Sequence, residues 1–189
     1  THRLLQTWQR QVSLFITLSE FARQKYIEGG FPADKIVVKP NFVHPDPQAG
    51  KGEGHYALYV GRLSPEKGIT TLLSAWTKLR PGLPLKLVGE GSLAPQVRQA
   101  AEMTPDIQWL GRKPIQQVYD LMGNATVVLF PTTGYETFGR VIVEAFAKGT
   151  PVIATSIGSG SELVTPYKTG LLFQPQNAED LIDKIIWML

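Results

Sequence analysis

Six short apolar runs alternate with segments of helical period over most of this chain, and this alternation constrains the fold more than any other feature. The apolar runs are 56–60, 85–88, 107–110, 126–130, 151–154 and 170–173. Between them, apolar residues recur with the i, i+3, i+4, i+7 spacing of a helix face, as at Ile69, Leu72, Leu73 and Trp76. Near-continuous apolar strands that alternate with helices are typical of a parallel sheet covered on both faces. We therefore expect residues 46–189 to form a doubly wound, Rossmann-like α/β domain with about six parallel strands.

The first 45 residues follow a different pattern. We predict a strand over 12–19, a helix over 20–30 that ends in two glycines, and a second strand over 35–39. The stretch 40–54 is rich in Pro and Gly, so it is interpreted as a linker. A single strand–helix–strand unit is too small to build a core of its own. We expect residues 1–45 to be the tail of a preceding domain, and the last helix, which lacks a stop signal, to continue beyond Leu189.

Composition and charge exclude several classes of function. The net charge is only +3, and the 19 Lys and Arg residues form no block of the kind that marks a nucleic-acid surface. The absence of cysteine excludes disulfides and thiolate metal sites. His2, His44 and His55 are too scattered to predict a metal centre. No apolar run is long enough to span a bilayer and there is no signal-peptide pattern, so a cytoplasmic location is expected.

The segment after the run 56–60 carries two cations where a ligand is expected. Ligands of doubly wound sheets bind at the carboxyl ends of the strands. There, Gly61 allows close approach of a backbone, Arg62 follows the strand directly, and Lys67 precedes the next helix. A guanidinium and an ammonium together suit a diphosphate. On these residues alone, pairing of both cations with Glu66 or with solvent is the more favoured interpretation.

A second segment, after the run 126–130, combines a helix start with two carboxylates. A glycine-containing turn leads into a helix predicted over 140–149, whose first backbone N–H groups would face the cleft. That helix is apolar on nearly all sides, so it is expected to be buried, with Glu144 in its middle. A buried carboxylate needs partners, which are either ribose hydroxyls or a buried Arg or Lys. Glu136 has two interpretations: it binds sugar hydroxyls, or its negative charge interacts favourably with the positive end of the helix dipole.

Glu136 and Glu144 form a Glu-x7-Glu motif within PTTGYETFGRVIVEAFAKGTPVIAT, and this stretch resembles the signature of retaining family 4 glycosyltransferases with the GT-B fold. The resemblance extends to GRLSPEKG (61–68), LKLVGEGSL (85–93), IQWLGR (107–112) and SELVTPYKTGLLFQP (161–175). Upstream, 19–21 and 36–43 match the family in outline. One departure is clear: the familiar Asn-Gly-Val-Asp is Asn-Phe-Val-His at 41–44, which puts any role of that Gly and Asp in doubt.

The resemblance implies a role for each candidate residue. Arg62 and Lys67 would bind the donor diphosphate and stabilise it as it leaves, which makes them catalytic together with Glu136. Glu136 would bind the hydroxyls of the donor sugar, and Glu144 those of the ribose. The other donor-site positions implied are Gly61, Gly89 and Gly91 in the nucleotide pocket, the backbone near Arg112 at the base, and the backbone amides of Thr137, Phe138, Gly139 and Arg140. No metal or other cofactor is expected, because GT-B members of this family generally need none.

The implied activity is transfer of a hexose from a nucleoside diphosphate sugar to an acceptor hydroxyl, with retention at the anomeric carbon. This chain would form one half of a GT-B fold, with the donor site in 46–189. The acceptor, a glycan, lipid or small molecule, would be held mainly by the preceding domain, which is also where membrane contact is possible. We expect the chain alone to bind donor without transferring it. The alternatives are a non-catalytic nucleotide-sugar-binding module, or an epimerase or phosphorylase on the same fold.

Overall fold

The structure is a computed structural model that describes residues 5–79 and 82–189. Its helices are α1 (Thr7–Gln11), α2 (Glu20–Glu28), α3 (Ile69–Lys78), α4 (Ala94–Met103), α5 (Ile115–Asn124), α6 (Arg140–Ala147), α7 (Gly158–Leu163) and α8 (Ala178–Met188), with short 3-10 turns at Ala33–Lys35 and Pro65–Lys67. Its strands are β1 (Phe15–Thr17), β2 (Ile36–Val38), β3 (Ala57–Val60), β4 (Leu85–Val88), β5 (Ile107–Trp109), β6 (Val127–Phe130), β7 (Val152–Thr155) and β8 (Gly170–Phe173).

Six strands form one parallel sheet in the order β5-β4-β3-β6-β7-β8, which confirms the doubly wound α/β prediction. Each strand lies within one residue of the apolar run that predicted it. Strands β3, β6 and β8 are apolar along their length because both faces of the sheet are covered there, whereas β4 and β5 contain Lys86 and Gln108. In β3, Ala57 and Tyr59 join the core on one face and Leu58 joins the core on the other.

Helices pack on each face with the apolar stripe that their periodicity predicted. The α3 residues Leu72 and Trp76 lie in one core with Leu181 and Ile185 of α8, all at most 2% exposed. Met122 and Val118 of α5 lie in the opposite core together with part of α6. Burial of side chains of this size contributes about 1.5–3 kcal/mol each and holds the two layers on the sheet.

The strand order reverses direction between β3 and β6. From β3 the chain moves outward through β4 to β5, and from β6 it moves outward through β7 to β8. The connections that leave β3 and β6 therefore diverge to opposite sides, which opens a crevice at the carboxyl ends of these two strands. In doubly wound sheets this point is where ligands bind.

The N-terminal segment forms a separate two-stranded parallel sheet, in which Phe15 pairs with Ile36 and Thr17 with Val38. The strand predicted over 12–19 is wrong in its bounds, because it has only three paired rows, and α1 precedes it where no helix was predicted. The helix predicted over 20–30 ends at Glu28.

The linker 40–54 has no helix or strand, as predicted, but it is not detached from the domain. The backbone N–H groups of Gly50, Gly52 and Gly54 donate to the carbonyls of Lys148, Gly123 and Asn124 at 2.8–2.9 Å. A Cβ on Gly50 would lie 2.0 Å from the Gly123 carbonyl oxygen, so the contact requires glycine. The last stretch of the linker is therefore docked against the ends of α5 and α6.

Within residues 5–79 and 82–189, none of the helices combines the length and apolarity that crossing a bilayer requires.

Candidate functional site

A cleft of about 330 Å³ lies where β3 and β6 diverge, and half of the predicted site residues line it. Its walls come from the end of β3 and the turn after it, and from the end of β6, the loop 131–139 and the first turn of α6. The predicted residues among its lining are Gly61, Arg62, Lys67, Glu136, Gly139 and Arg140. Two segments about 75 residues apart in the sequence are thus brought together by the strand order.

The two predicted cations lie at different depths in this cleft. Arg62 is largely exposed, with 68% of its side chain accessible, and its Nη2 is 3.7 Å from a carboxylate oxygen of Glu66. A pair so exposed contributes little to stability, because water screens it. The Arg62 guanidinium is therefore available to another anion, and the pairing with Glu66 that the sequence left open is present but weak.

Lys67 is half-buried and forms an ion pair with Glu136 across the cleft. Burial lowers the pKa of the Lys67 ammonium, and the positive charge of Arg62 lowers it further. A cation held under these conditions gains from an added anion, because the anion offsets both the lost hydration and the repulsion by Arg62. On the sequence alone, pairing of Lys67 with Glu66 or with solvent was the favoured interpretation. The ion pair with Glu136 was not predicted.

The start of α6 supplies backbone donors on the opposite wall. Gly139 is the N-cap residue with φ of 81°, and no side chain caps the helix. The orphan amides of the first turn and the positive end of the helix dipole are favourable to an anion here. Phe138 is buried at 4% exposure, so its side chain belongs to the core and only its backbone can contribute to a binding site. The Thr137 carbonyl accepts a hydrogen bond from Ser19 at 3.0 Å.

Glu144 is buried, with 8% of its side chain exposed, and its carboxylate accepts from Nε of Arg140 at 3.0 Å. The arginine partner left open by the sequence analysis is thus present, although Arg140 is exposed rather than buried. The expectation that the helix is buried on nearly all sides is wrong. Ile142, Glu144 and Ala145 are buried, but Val141 and Val143 are only partly buried and Arg140 is exposed; Val141 and Arg140 line the cleft.

A second cavity of about 600 Å³ adjoins the first and is lined by Val60, Arg112, Ile115, Val118 and Glu144. Val60 lines both cavities, so they meet at the end of β3. Glu144 therefore faces a space bounded by the predicted base-binding segment, and a ligand there would reach the one buried carboxylate of α6.

Glu144→Gln is expected to stabilise the chain without ligand at neutral pH. Burial raises the pKa of the Glu144 carboxyl above its ordinary 4.5, and Arg140 offsets this only in part. The contribution of the neutral Glu144 carboxyl to the free energy of unfolding is fully present below pH 4.5. It is lost as the pH rises through the raised pKa. The free energy of unfolding of the variant should therefore match that of the wild type at pH 4 and exceed it at pH 7. Urea unfolding at both pH values measures this.

The matched control is Glu179→Gln, because Glu179 forms an exposed ion pair with Lys78. It should change the stability little at either pH. The contrary result is a Glu144→Gln variant whose free energy of unfolding lies below that of the wild type by the same amount at pH 7 and at pH 4. It would show that ionisation of this carboxylate carries no desolvation cost.

Gly89 and Gly91 have a steric reason to be glycine that involves no ligand. A Cβ on Gly89, at φ of 142°, would lie 1.8 Å from the Gly61 carbonyl oxygen, and one on Gly91 would lie 2.3 Å from that of Leu63. Both positions let the turn after β4 pack against the turn after β3. They shape the floor of the site, and their lining of a nucleotide pocket stays a prediction.

Two residues that the sequence analysis did not single out hold the cleft in shape. The Tyr59 hydroxyl donates to the Arg62 carbonyl at 2.8 Å, and burial raises the pKa of this phenol. Thr132 is 3% exposed and its hydroxyl donates to the Glu66 carbonyl at 2.9 Å, which ties the loop 131–139 to the turn that carries Lys67. The sequence feature that could have identified them is a polar group within an otherwise apolar run, as at Tyr59, or just after one, as at Thr132.

A separate groove of about 510 Å³ lies outside the cleft and is lined by Thr70, Thr71, Ser74 and Gln176. It is rich in hydroxyl groups and contains none of the predicted site residues. No cluster of three or more His, Asp or Glu side chains with metal-binding geometry occurs among the described residues. His44 and His55 are both exposed, and His2 lies outside the described residues.

Solved structures with the same fold include nucleotide complexes. HepE of Anabaena in complex with UDP aligns with a TM-score of 0.85 at 26% sequence identity, over 95% of this chain and 55% of that chain. Its complex with UDP-glucose aligns with a TM-score of 0.84 at 25% identity, over the same shares of the two chains.

Sequence comparison identifies the family. A phosphatidyl-myo-inositol mannosyltransferase of Mycobacterium tuberculosis is 32% identical over 178 residues, which are 88% of this chain and 46% of the relative. An uncharacterized glycosyltransferase of Methanocaldococcus jannaschii is 30% identical over 158 residues, which are 82% of this chain and 44% of the relative. The chain thus spans less than half the length of either relative. The family described as Glycosyl transferases group 1 matches residues 44–189, and this chain belongs to it.

Proposed function

We propose that this chain supplies the donor site of a retaining family 4 glycosyltransferase, which moves a hexose from a nucleoside diphosphate sugar to an acceptor hydroxyl. The observation that carries the proposal is the cleft between the carboxyl ends of β3 and β6. It brings two cations, a carboxylate and a helix N-terminus to one place, which suits a diphosphate joined to a sugar. The UDP and UDP-glucose bound by HepE support the same ligand class.

In this proposal the diphosphate lies between Lys67 and the start of α6, with Arg62 closing over it from solvent. The bond between the anomeric carbon and the phosphate oxygen breaks, and a bond from that carbon to the acceptor oxygen forms on the same face. The acceptor proton passes to an oxygen of the leaving diphosphate. Negative charge grows on the diphosphate as the bond breaks, so Arg62, Lys67 and the α6 amides stabilise the transition state by preorganised electrostatics.

Glu136 and Glu144 bind different parts of the donor. Glu136 faces the first cleft beside Lys67, where the sugar follows the diphosphate, and accepts from its hydroxyls. Glu144 faces the adjoining cavity, where it accepts from the ribose hydroxyls while the base lies near the backbone of Arg112. The exposed Arg140 is able to turn outward and free the Glu144 carboxylate for the ribose.

The acceptor site belongs, in this proposal, to a domain whose tail is residues 1–45, while 46–189 is the donor domain. The separate sheet of β1 and β2 and the linker that follows it support this division. In well-oriented systems, holding an acceptor hydroxyl near the anomeric carbon lowers the activation barrier by about 7–11 kcal/mol. We therefore expect this chain to bind donor without turnover.

A thermal-shift comparison of UDP-, GDP- and ADP-sugars tests the proposal. A donor present at 100 times its dissociation constant should add about 2.7 kcal/mol of stability. The matching free sugar and inorganic phosphate serve as controls, since neither spans the cleft and its adjoining cavity. If none of the three nucleotide sugars shifts the melting temperature more than these controls, the chain is not a donor-binding domain.

A further inference from the structure

The loop 131–139, which carries Glu136, is held on both sides of that residue by the N-terminal helix α2. On one side, the Thr137 carbonyl accepts a hydrogen bond from the Ser19 hydroxyl at 3.0 Å. On the other, the Tyr135 ring meets the Phe21 ring edge-on, with centroids 5.0 Å apart. Both contacts join residues more than 110 positions apart, so they exist only because α2 is seated against the donor half.

Ser19 uses both capacities of one buried hydroxyl. It is 1% exposed, it donates to Thr137, and it accepts from the backbone N–H of Ala22 at 3.1 Å as the N-cap of α2. A hydroxyl offers one hydrogen and two lone pairs, so the two bonds are compatible. The position of α2 and the position of the Glu136 loop are therefore fixed by the same atom.

The N-terminus of α2 is itself anchored to the donor half through Glu162 of α7. The two carboxylate oxygens of Glu162 accept from the backbone N–H groups of Glu20 and Phe21 at 3.0 and 2.9 Å. At the start of α7, a Cβ on Gly158 would lie 3.6 Å from the Glu136 nitrogen and 3.7 Å from the Phe21 ring. The helix α2, the helix α7 and the loop thus meet at one point behind Glu136.

We propose that α2, through Ser19 and Phe21, positions Glu136 for the donor sugar, so that the segment before the linker sets how strongly the sugar is recognised. This inference rests on the proposed function, in which Glu136 binds sugar hydroxyls. Ser19 and Phe21 are positioning residues, because they act on the donor only through the loop. A shift of about 1 Å in a positioned group is enough to weaken recognition markedly.

The measured quantity is the sugar gain, defined as the ratio of the dissociation constant of the nucleoside diphosphate to that of its sugar conjugate. Calorimetry on the 189-residue chain provides it for UDP and UDP-glucose, GDP and GDP-mannose, and ADP and ADP-glucose. Ser19→Ala should lower the sugar gain about five- to tenfold, the range expected for one lost buried hydrogen bond, and leave affinity for the bare diphosphate within about twofold. Glu136→Gln serves as the reference for loss of the sugar contact itself.

The control Asn177→Ala separates positioning from loss of a helix cap. Asn177 is the N-cap of α8, where its side chain accepts from Asp180 N at 3.0 Å, and it contacts no residue of the Glu136 loop in the hydrogen bonds described. It should lose stability as Ser19→Ala does but keep the full sugar gain. Phe21→Ala, which leaves the cap in place, provides a second test if Ser19→Ala does not fold, and it should lower the gain in the same direction.

Two results overturn the inference and they are distinguishable. If the wild type has a sugar gain that Glu136→Gln removes, but Ser19→Ala and Phe21→Ala retain it, α2 does not position Glu136 and the proposed function stands. If the wild type has no sugar gain with any pair, the proposed sugar contact of Glu136 fails and the inference fails with it.

Discussion

Lys67→Ala is expected to weaken nucleoside diphosphate binding by about 10- to 100-fold, since a charge-assisted bond contributes roughly 1.5–3 kcal/mol and about 1.4 kcal/mol corresponds to tenfold. The ammonium is half-buried beside Arg62, and its removal leaves Glu136 without its partner in the cleft. The remaining carboxylate would then repel the diphosphate that Lys67 attracted. Arg62→Ala should act in the same direction but less, because that side chain is 68% exposed. Calorimetry with the diphosphate that binds the wild type measures both effects.

The matched control for this variant is Lys78→Ala. Lys78 also pairs with a carboxylate, its Nζ lying 2.6 Å from Glu179, but the pair is exposed at the far end of α3. It should leave diphosphate affinity within about twofold, because exposed pairs contribute little and this one is remote from the cleft. Equal affinities for the Lys67→Ala and Lys78→Ala variants would remove Lys67 from the diphosphate site.

Gly89→Ala is expected to lower the free energy of unfolding by about 3 kcal/mol or more, as severe overpacking and strained backbone do together. Its added Cβ would lie 1.8 Å from the Gly61 carbonyl oxygen, and φ of 142° is itself unfavourable to a side chain. The neighbour is backbone, so relief requires a shift of the turn that carries Arg62. The variant should therefore lose both stability and diphosphate affinity, and urea unfolding followed by calorimetry measures the two.

Gly134→Ala is the control for this substitution. A Cβ there would meet only the Glu66 Cβ at 3.8 Å, which is ordinary contact, although Gly134 lies in the loop of the candidate site. Its free energy of unfolding should stay within about 0.5 kcal/mol of the wild type, as for most surface substitutions. If Gly89→Ala is as stable as Gly134→Ala, the close packing of the turns after β3 and β4 does not require glycine.

The sheet could be predicted from the sequence because burial on both faces leaves a local signal. Most of the six strands are near-continuous apolar runs, and each helix on the faces shows its buried stripe, as at Leu72 and Trp76 of α3. The bounds of β1 were not predictable in this way. Leu14, directly before β1, and Ile16 within it are at least 50% exposed, so hydrophobicity there does not mark burial in a core.

The location of the candidate residues at one edge of the sheet could be predicted from the sequence, but their pairings could not. The positions of Arg62, Lys67 and Glu136 follow from the rule that ligands lie at carboxyl ends of strands, which needs only local pattern. The partner of each charge depends on the order of strands in the sheet and on loop conformation. Lys67 therefore meets Glu136, 69 residues away, and Ser19 meets Thr137, 118 residues away, without any sign of either contact in the sequence.

The most direct test of the central claim, that the crevice between β3 and β6 holds a nucleoside diphosphate sugar, is to map binding on the chain. Backbone amide chemical shifts of the 20.9-kDa protein, recorded by NMR during titration with the nucleotide sugar that binds best, locate the contact. We expect the largest shifts at Gly61, Lys67, Gly139 and Arg140, with Thr70 and Ser74 of the outer groove unchanged. Shifts confined to Thr70 and Ser74, with the amides of Gly61 and Gly139 unmoved at saturation, would contradict it.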